Sequence, residues 1–451
     1  MIAMRMKDSG IEWIGEIPED WEVRRLKYLL QPGNRGIKIG PFGSSLRLDD
    51  TDENGVFKVY GQENLIKNNF LAGKRFIDET KYRELEGYTV FPGDILISMM
   101  GTIGKCNVVP KGIQQGIMDS HLTRIRVDEE CIFNEYLELL IADSDYIKVQ
   151  FDLQSKGSIM NGLNSGIIKE LLVAKPSMDI QHSIVNFINN RCAEIDAVIA
   201  AKQRQNELLK EQRQSIIFEA VTKGLDSTVT YKDSGVEWIG EIPAGWEVRK
   251  LKYFLEETKG AIKAGPFGSQ LTSADMSYSD IKVFNQRTVL DNDFIMGNEY
   301  ISLEKHEELK GFDVVAGDVL ITTRGTIGKI AIVPQDVSQG IIHPCLMRVK
   351  INRRKVIDKL LLRIFNDTNM ILEQLKVLSN ATTIEVVYTQ NLSSITLALP
   401  DLEKQQQILD FIEAKLGELD RVVAANNAVI DKLKEYRQSL IYETVTGKIA
   451  V

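Results

Sequence analysis

Residues Lys7 to Tyr28 return almost unchanged as Lys232 to Tyr253, an offset of 232 − 7 = 225, and this duplication limits the possible folds more than any other feature of the chain. Four positions differ between the copies: Ile11 against Val236, Glu19 against Ala244, Asp20 against Gly245 and Arg25 against Lys250. All four tryptophans, Trp13, Trp21, Trp238 and Trp246, lie in these two stretches. The repeat persists downstream, first at the same offset and then one residue closer, at 317 − 93 = 224. Lys38 Ile39 Gly40 Pro41 Phe42 Gly43 Ser44 recurs as Lys263 to Ser269, Gly93 to Ile97 as Gly317 to Ile321, Gly101 to Lys105 as Gly325 to Lys329, and Leu209 Lys210 Glu211 as Leu433 Lys434 Glu435. Between these fixed points the halves diverge, which suggests one frame carrying two different surfaces.

With 451 residues and 43% hydrophobic content, the chain can bury a core in each half. No apolar run approaches the ~18 residues of a membrane-spanning helix, and Met1 to Met6 lacks the apolar core of a signal peptide. Cys106, Cys131, Cys192, Cys345 and His121, His182, His306, His343 are scattered without metal-site spacing, which argues against a structural zinc or disulfide framework and favours a reducing cytoplasm. A net charge of −8 excludes a protein that grips nucleic acid by overall positive charge, but leaves room for local basic surfaces.

Within each half, the tryptophan segment reads as a short extended arm anchored by its indoles, with base stacking the alternative. Gln31 to Ser45 reads as a glycine-rich loop whose backbone N–H groups, Lys38, Ser44 and Arg47 could meet a phosphate chain; the alternative is a tight turn pinned by Phe42. Lys263 and Ser269 are the counterparts of Lys38 and Ser44. Val56 to Leu65 reads as a strand running into Gln62 and Asn64, and Ile281 to Val289 as one carrying Asn285, Gln286 and Arg287, side chains able to pair with base edges; the alternative is polar strand ends facing water. Arg324, opposite Met100 across the repeat, is a further candidate reader. Gly93 to Val109 has the form strand, turn, strand, and Gly104 Lys105 lacks the glycine spacing and the hydroxyl residue of a phosphate-binding P-loop. Leu122 to Val127 reads as a strand, followed by helical patterns over Asn134 to Leu153 and Lys355 to Leu375.

A long helix closes each half, started by Pro176 and Asp179 and ended by Gly224 in one, started by Pro400 and Asp401 and ended by Gly447 in the other. Ile188, Ile195, Lys202, Leu209 and Ile216 fall seven apart, as do Ile412, Leu419, Asn426, Leu433 and Leu440, with Leu416, Val423 and Ile430 as a second seam. Two such helices in one chain most simply pack on each other, as a rod of about 60 Å at ~1.5 Å per residue. Lys202 and Asn426 interrupt the seam at equivalent places, 202 + 224 = 426, where a polar residue fixes register. The expected class is α+β, divided as residues 1–176 and 225–400 for the heads and 177–224 and 401–451 for the helices.

No glycine-rich cofactor loop after a strand, no Ser/His/Asp set and no nuclease carboxylate and lysine cluster emerges, so no catalytic, cofactor or metal residue is assigned. Two unlike heads joined by a rod suit a long regular target such as duplex DNA. A coiled-coil adaptor with two protein-binding heads, and a fused DNA methyltransferase or nuclease with unfamiliar motifs, are the rivals.

The tryptophan arms, the Gly40 Pro41 Phe42 Gly43 Ser44 loop, the Gly93 to Ile97 strand and the glutamine-rich helix starts at Gln181 and Gln405 occur twice and in order, and together they resemble the specificity subunit of type I restriction-modification systems. The resemblance covers essentially the whole chain. It implies two target recognition domains, each reading one half of a gapped DNA sequence, separated by an antiparallel pair of long helices. It also implies docking of two methyltransferase subunits carrying S-adenosylmethionine, recruitment of ATP- and Mg-dependent restriction subunits, and a specificity chain with no catalytic site of its own.

Overall fold

The opening arm of each half pairs with itself. Met6–Asp8 runs antiparallel to Glu16–Pro18, and Tyr231–Asp233 to Glu241–Pro243. In this computed structural model, which describes residues 5–99, 104–155, 164–379 and 386–451, Trp21 and Trp246 are buried, and Trp13 and Trp238 pack against the adjoining cores. Burial of this kind assigns the indoles to anchoring the arm, the role expected of them. Next, Glu22–Arg25 pairs with Leu172–Lys175, and Glu247–Lys250 with Thr396–Leu399, so the last strand of each head returns to the first.

Two further sheets build each head. An antiparallel four-stranded sheet has the spatial order Ile37–Ile39, Leu122–Ile125, Ile95–Ser98, Cys106–Val108. A three-stranded sheet centres on Phe57–Tyr60, antiparallel to Phe76–Ile77 and parallel to Gly116–Met118. The second head repeats both, with Val319–Thr322 and Leu346–Val349 inside the larger sheet and Ile281–Phe284 inside the smaller. Interior strands such as Ile95–Ser98 and Val319–Thr322 are buried at every position, which explains their unbroken apolar runs.

Several elements differ from the sequence-based expectation. The stretch read as one strand from Val56 to Leu65 is a strand, Phe57–Tyr60, followed by a short helix, Gln62–Ile66; its copy has strand Ile281–Phe284 and helix Gln286–Leu290. The chain turns there because side chains cap the first helical turn, Asn64 accepting from the Gly61 N–H and Asn285 from the N–H groups of Arg287 and Thr288. Each helical pattern after the large sheet is two helices, Asn134–Asp143 with Asp145–Ser155 and Asp358–Asp367 with Met370–Ser379, because Ser144 (ψ 126°) and Thr368 (ψ 161°) adopt extended backbone. Residues 101–103 of the expected Gly101 to Lys105 turn, and Met100, lie outside the described residues.

The long helices span Met178–Lys223 and Leu402–Val445. Each is followed by a glycine in the left-handed region, Gly224 and Gly447, both with φ +73°, where any other L-residue would be strained. The chain divides into two compact units, Met1–Lys202 with Asn427–Val451, and Gln203–Asn426, so each unit holds a head and a segment of both helices. In the second unit Asn426 Nδ2 donates to Asn206 Oδ1 at 2.8 Å and Arg213 pairs with Asp420 at 2.7 Å. The sums 206 + 426 = 632 and 213 + 420 = 633 stay nearly constant, the signature of antiparallel helices. In the first unit Arg437 approaches Asp196 at 3.7 Å, with the sum 633 again, while Ile441 and Val445 share a core with Ile184 and Ile188. Asn426 is buried on the helix stripe, as its place in the heptad seam requires.

A buried glutamine couples each helix to its head. Gln181 Oε1 accepts from the Phe133 N–H at 2.8 Å and its Nε2 donates to the Pro176 carbonyl at 3.0 Å. Gln405 accepts from the Ile357 N–H at 3.0 Å and donates to the carbonyls of Pro400 at 2.9 Å and Lys355 at 3.1 Å.

Candidate nucleic-acid interface

At one end of each three-stranded sheet, loops from three distant segments meet. The Tyr60 carbonyl accepts from the Asp119 N–H at 2.8 Å and the Arg75 carbonyl from the Val59 N–H at 2.9 Å; the matching bonds in the second head are His343 to Phe284 and Val283 to Glu299, both 2.9 Å. These backbone bonds make Asp119 equivalent to His343 and Arg75 equivalent to Glu299, at an offset of 224. The first helical turn adds Gln62 and Glu63 on one side, Gln286 and Arg287 on the other.

The two clusters share a layout and differ in chemistry. In the first head Arg75 Nη2 donates to Asp119 Oδ2 at 3.0 Å and to Glu63 Oε1 at 3.1 Å, while Asp119 Oδ1 accepts from the His121 N–H at 2.9 Å. Burial would lower the Arg75 pKa, but the hydrogen bond and charge of Asp119, joined by Glu63, more than offset it, so the guanidinium stays charged. In the second head Asn285 Nδ2 donates to Glu299 Oε2 at 2.9 Å, and His343 Nδ1 accepts from the Cys345 N–H at 3.1 Å. Burial, reinforced by the Arg324 charge and opposed by Glu299, pushes the His343 pKa down and keeps the ring neutral near pH 7. Burial also pushes the Cys345 thiol up to about 11, so it is no thiolate nucleophile.

The Gly-Pro-Phe-Gly-Ser loop is seated directly on each cluster. A Cβ on Gly40 would lie 1.8 Å from the Asp119 carbonyl oxygen, and one on Gly265 would lie 2.3 Å from that of His343. Only glycine permits this approach. Phe42 does not pin the turn: it is 83% exposed and Phe267 65% exposed, so both loops present an aromatic ring to solvent beside the cluster.

The sequence-selected residues divide accordingly. Ser44, Arg47 and Ser269 are exposed on or beside the loop, and Arg287 and Arg324 are exposed near the second cluster. Lys38 and Lys263 are not loop residues. They lie in strands Ile37–Ile39 and Ile262–Ala264, with Nζ 4.4 Å from the Tyr88 ring centre and 4.6 Å from that of Phe312, so a cation–π contact explains their presence in both copies. Asn64 is fully buried, its amide bonded to Gly61, Asn69 and Ala72, and it holds the loop that leads to Arg75. Asn285 caps its helix and orients Glu299. Gln62 bonds Ser98 Oγ at 2.8 Å, while Gln286 reaches the Thr326 carbonyl at 3.4 Å. Glu63, Arg75, Asp119, Glu299 and His343 escaped sequence reasoning because parallel pairing across more than fifty residues brings them together; comparing the repeats position by position would have exposed their changes of charge.

Among the described residues no group of three His, Cys, Asp or Glu side chains could hold a metal ion, and no helix is long and apolar enough to cross a membrane.

Two homologous heads with one frame and two polar surfaces define a class of tandem recognition protein. The model for the type I restriction modification DNA specificity domain matches residues 18–210 and 243–435, and the chain belongs to that family. It is 26% identical over 445 residues to the putative type I restriction enzyme MjaX specificity subunit of Methanocaldococcus jannaschii, covering 97% of this chain and 96% of that one. It is 21% identical over 382 residues to the type I restriction enzyme EcoBI specificity subunit of Escherichia coli, covering 81% and 75%. The fold is similar to that of the HsdS subunit from Thermoanaerobacter tengcongensis, with TM-score 0.56, 14% identity and coverage of 96% and 98%. A chain solved in work on complex assembly and conformational transition of the type I R-M system gives TM-score 0.69 at 15% identity, covering 96% and 99%.

Proposed function

We infer that this chain is the DNA sequence-recognition subunit of a type I restriction-modification assembly. Each head reads one half of a bipartite duplex target, and the helix pair sets the unspecified gap and receives two methyltransferase subunits. Family membership across both repeats carries this reading. The paired clusters support it, because a common frame with different hydrogen-bonding groups is what reading two different half-sequences demands.

Methyl transfer and DNA cleavage belong to other polypeptides: S-adenosylmethionine to the methyltransferase subunits, ATP with Mg to the restriction subunits. A net charge of −8 suits a subunit that shares its phosphate contacts with such partners in the cytoplasm. Exposed Ser44, Arg47 and Ser269 serve the phosphate chain, and the clusters around Gln62 and Gln286 face base edges. The test is genome-wide mapping of methylated sites in a host expressing this chain with its cognate methyltransferase subunits. A gapped two-part motif is expected. Methyl transfer by this chain alone would overturn the assignment.

A further inference from the structure

Arg75 and Glu299 occupy the same place in the two heads and carry opposite charge. Each is the residue before the short edge strand, with its backbone carbonyl bonded to the central strand. The segment leading to each is clamped from below by a buried lysine: Lys58 Nζ donates to the carbonyls of Leu71 at 2.9 Å and Gly73 at 3.3 Å, and Lys282 Nζ donates to that of Ile295. Ionic residues of the frame outside the cluster recur in both copies, among them buried Asp94 with Asp318 and buried Arg124 with the largely covered Arg348, at the same offset of 224. The reversal at 75 and 299 therefore belongs to the cluster, at a half-exposed position held by its backbone.

The reversal does not rebuild an internal ion pair. Arg75 bonds Asp119, but Glu299 and His343 form no hydrogen bond or ion pair among the described residues; Glu299 is held instead by Asn285. What the two positions share is a polar head fixed on one side and open on the other. The protein contacts of the Arg75 guanidinium run through Nη2, leaving Nη1 and Nε as directed donors, while those of Glu299 run through Oε2, leaving Oε1 as an acceptor.

We propose that Arg75 and Glu299 are specificity-determining residues of opposite polarity: Arg75 donates from Nη1 or Nε to a single base-edge acceptor, O6 or N7 of a guanine, and Glu299 reads the amino group of a cytosine or adenine at the equivalent step of the other half-sequence. The proposal rests on the recognition role inferred above. The two half-sequences then differ at this step because the donor of one head is the acceptor of the other. A guanidinium already oriented by two carboxylates loses little freedom on meeting a base edge, which favours a directed, charge-assisted contact.

The test uses the full chain with its cognate methyltransferase subunits in a host without competing modification, comparing wild type, Arg75→Gln and Glu299→Ala by genome-wide mapping of methylated sites. Arg75→Gln should cut the preference for guanine at one position of one half-sequence by about 10- to 150-fold, the equivalent of ~1.5–3 kcal/mol for a lost hydrogen bond from a charged donor, and leave the other half-sequence intact. Glu299→Ala should relax one position of the other half-sequence. If Arg75→Gln does not assemble, Arg75→Lys keeps a charge toward Asp119 but loses the separate Nη1 and Nε donors, and should relax the same position. Unchanged motifs, relaxation in both halves at once, or lost methylation with an unshifted melting temperature would overturn the proposal. A wild-type complex that leaves no gapped motif would instead overturn the recognition role itself.

Discussion

Replacing Gln405 by Met keeps the length of a fully buried side chain and deletes its three hydrogen bonds. The Ile357 N–H then loses its acceptor, at a cost of about 1–3 kcal/mol for a buried orphan donor. The carbonyls of Lys355 and Pro400 lose a donor each, at about 0.5–1.5 kcal/mol net per bond. Greater apolar burial by Met returns about 1 kcal/mol. The net expectation is a loss of roughly 3 kcal/mol, or about 6–12 °C in melting temperature for a unit of this size. Calorimetry supplies the melting temperature, and hydrogen exchange at the Ile357 amide reports the specific bond. Gln181→Met should act likewise through the Phe133 amide. A shift under about 2 °C with Ile357 protection intact would refute the view that these glutamines couple helix to head.

Three further outcomes follow from the geometry. Gly40→Ala must displace the loop from Asp119, and Gly265→Ala from His343; each should weaken DNA binding by the assembled complex at least about tenfold in gel-shift titrations while circular dichroism stays unchanged. Replacing both Asn206 and Asn426 by Leu should raise stability toward urea by about 1–3 kcal/mol, as apolar replacement of a buried polar pair often does, yet loosen register, read as a broadened gap in the methylated motif. The folded-state pKa of His343 lies below its unfolded value near 6.5, so its contribution is present above that pH and is lost on acidification through the folded pKa; urea midpoints at pH 7.5 and 5.5 should differ less in His343→Asn, which keeps a side-chain acceptor for the Cys345 N–H, than in the wild type.

Much of the frame was legible because the sequence states it twice. The heptad seam survives as a stripe of buried and half-buried residues with Asn426 on it, and the glycines after each helix end where helices must stop. Local patterns misled where one side chain decides the backbone. Asn64 and Asn285 turn an extended run into a helix by capping it, and a one-residue change of direction leaves no periodicity to detect. Lys38 suggested phosphate binding because it precedes a glycine loop, but its strand places Nζ over Tyr88. The cluster itself was illegible as a motif because its members lie in three segments joined only by sheet pairing. Charges that hold the frame, such as Asp94, Lys58 and Arg124, recur in both copies because the fold needs them; those of the cluster, Glu63, Arg75 and Asp119, differ, and that contrast is the signal for a reading surface.

The most direct test exchanges residues 31–153 of the first head for residues 256–377 of the second, then maps methylation by the complex with its cognate methyltransferase subunits. If each head reads one half of the target on a common frame, the motif becomes two copies of the second half-sequence in opposing orientation with the original gap. A motif that stays unchanged, or a gap that shifts while both half-sequences persist, would contradict that division of labour.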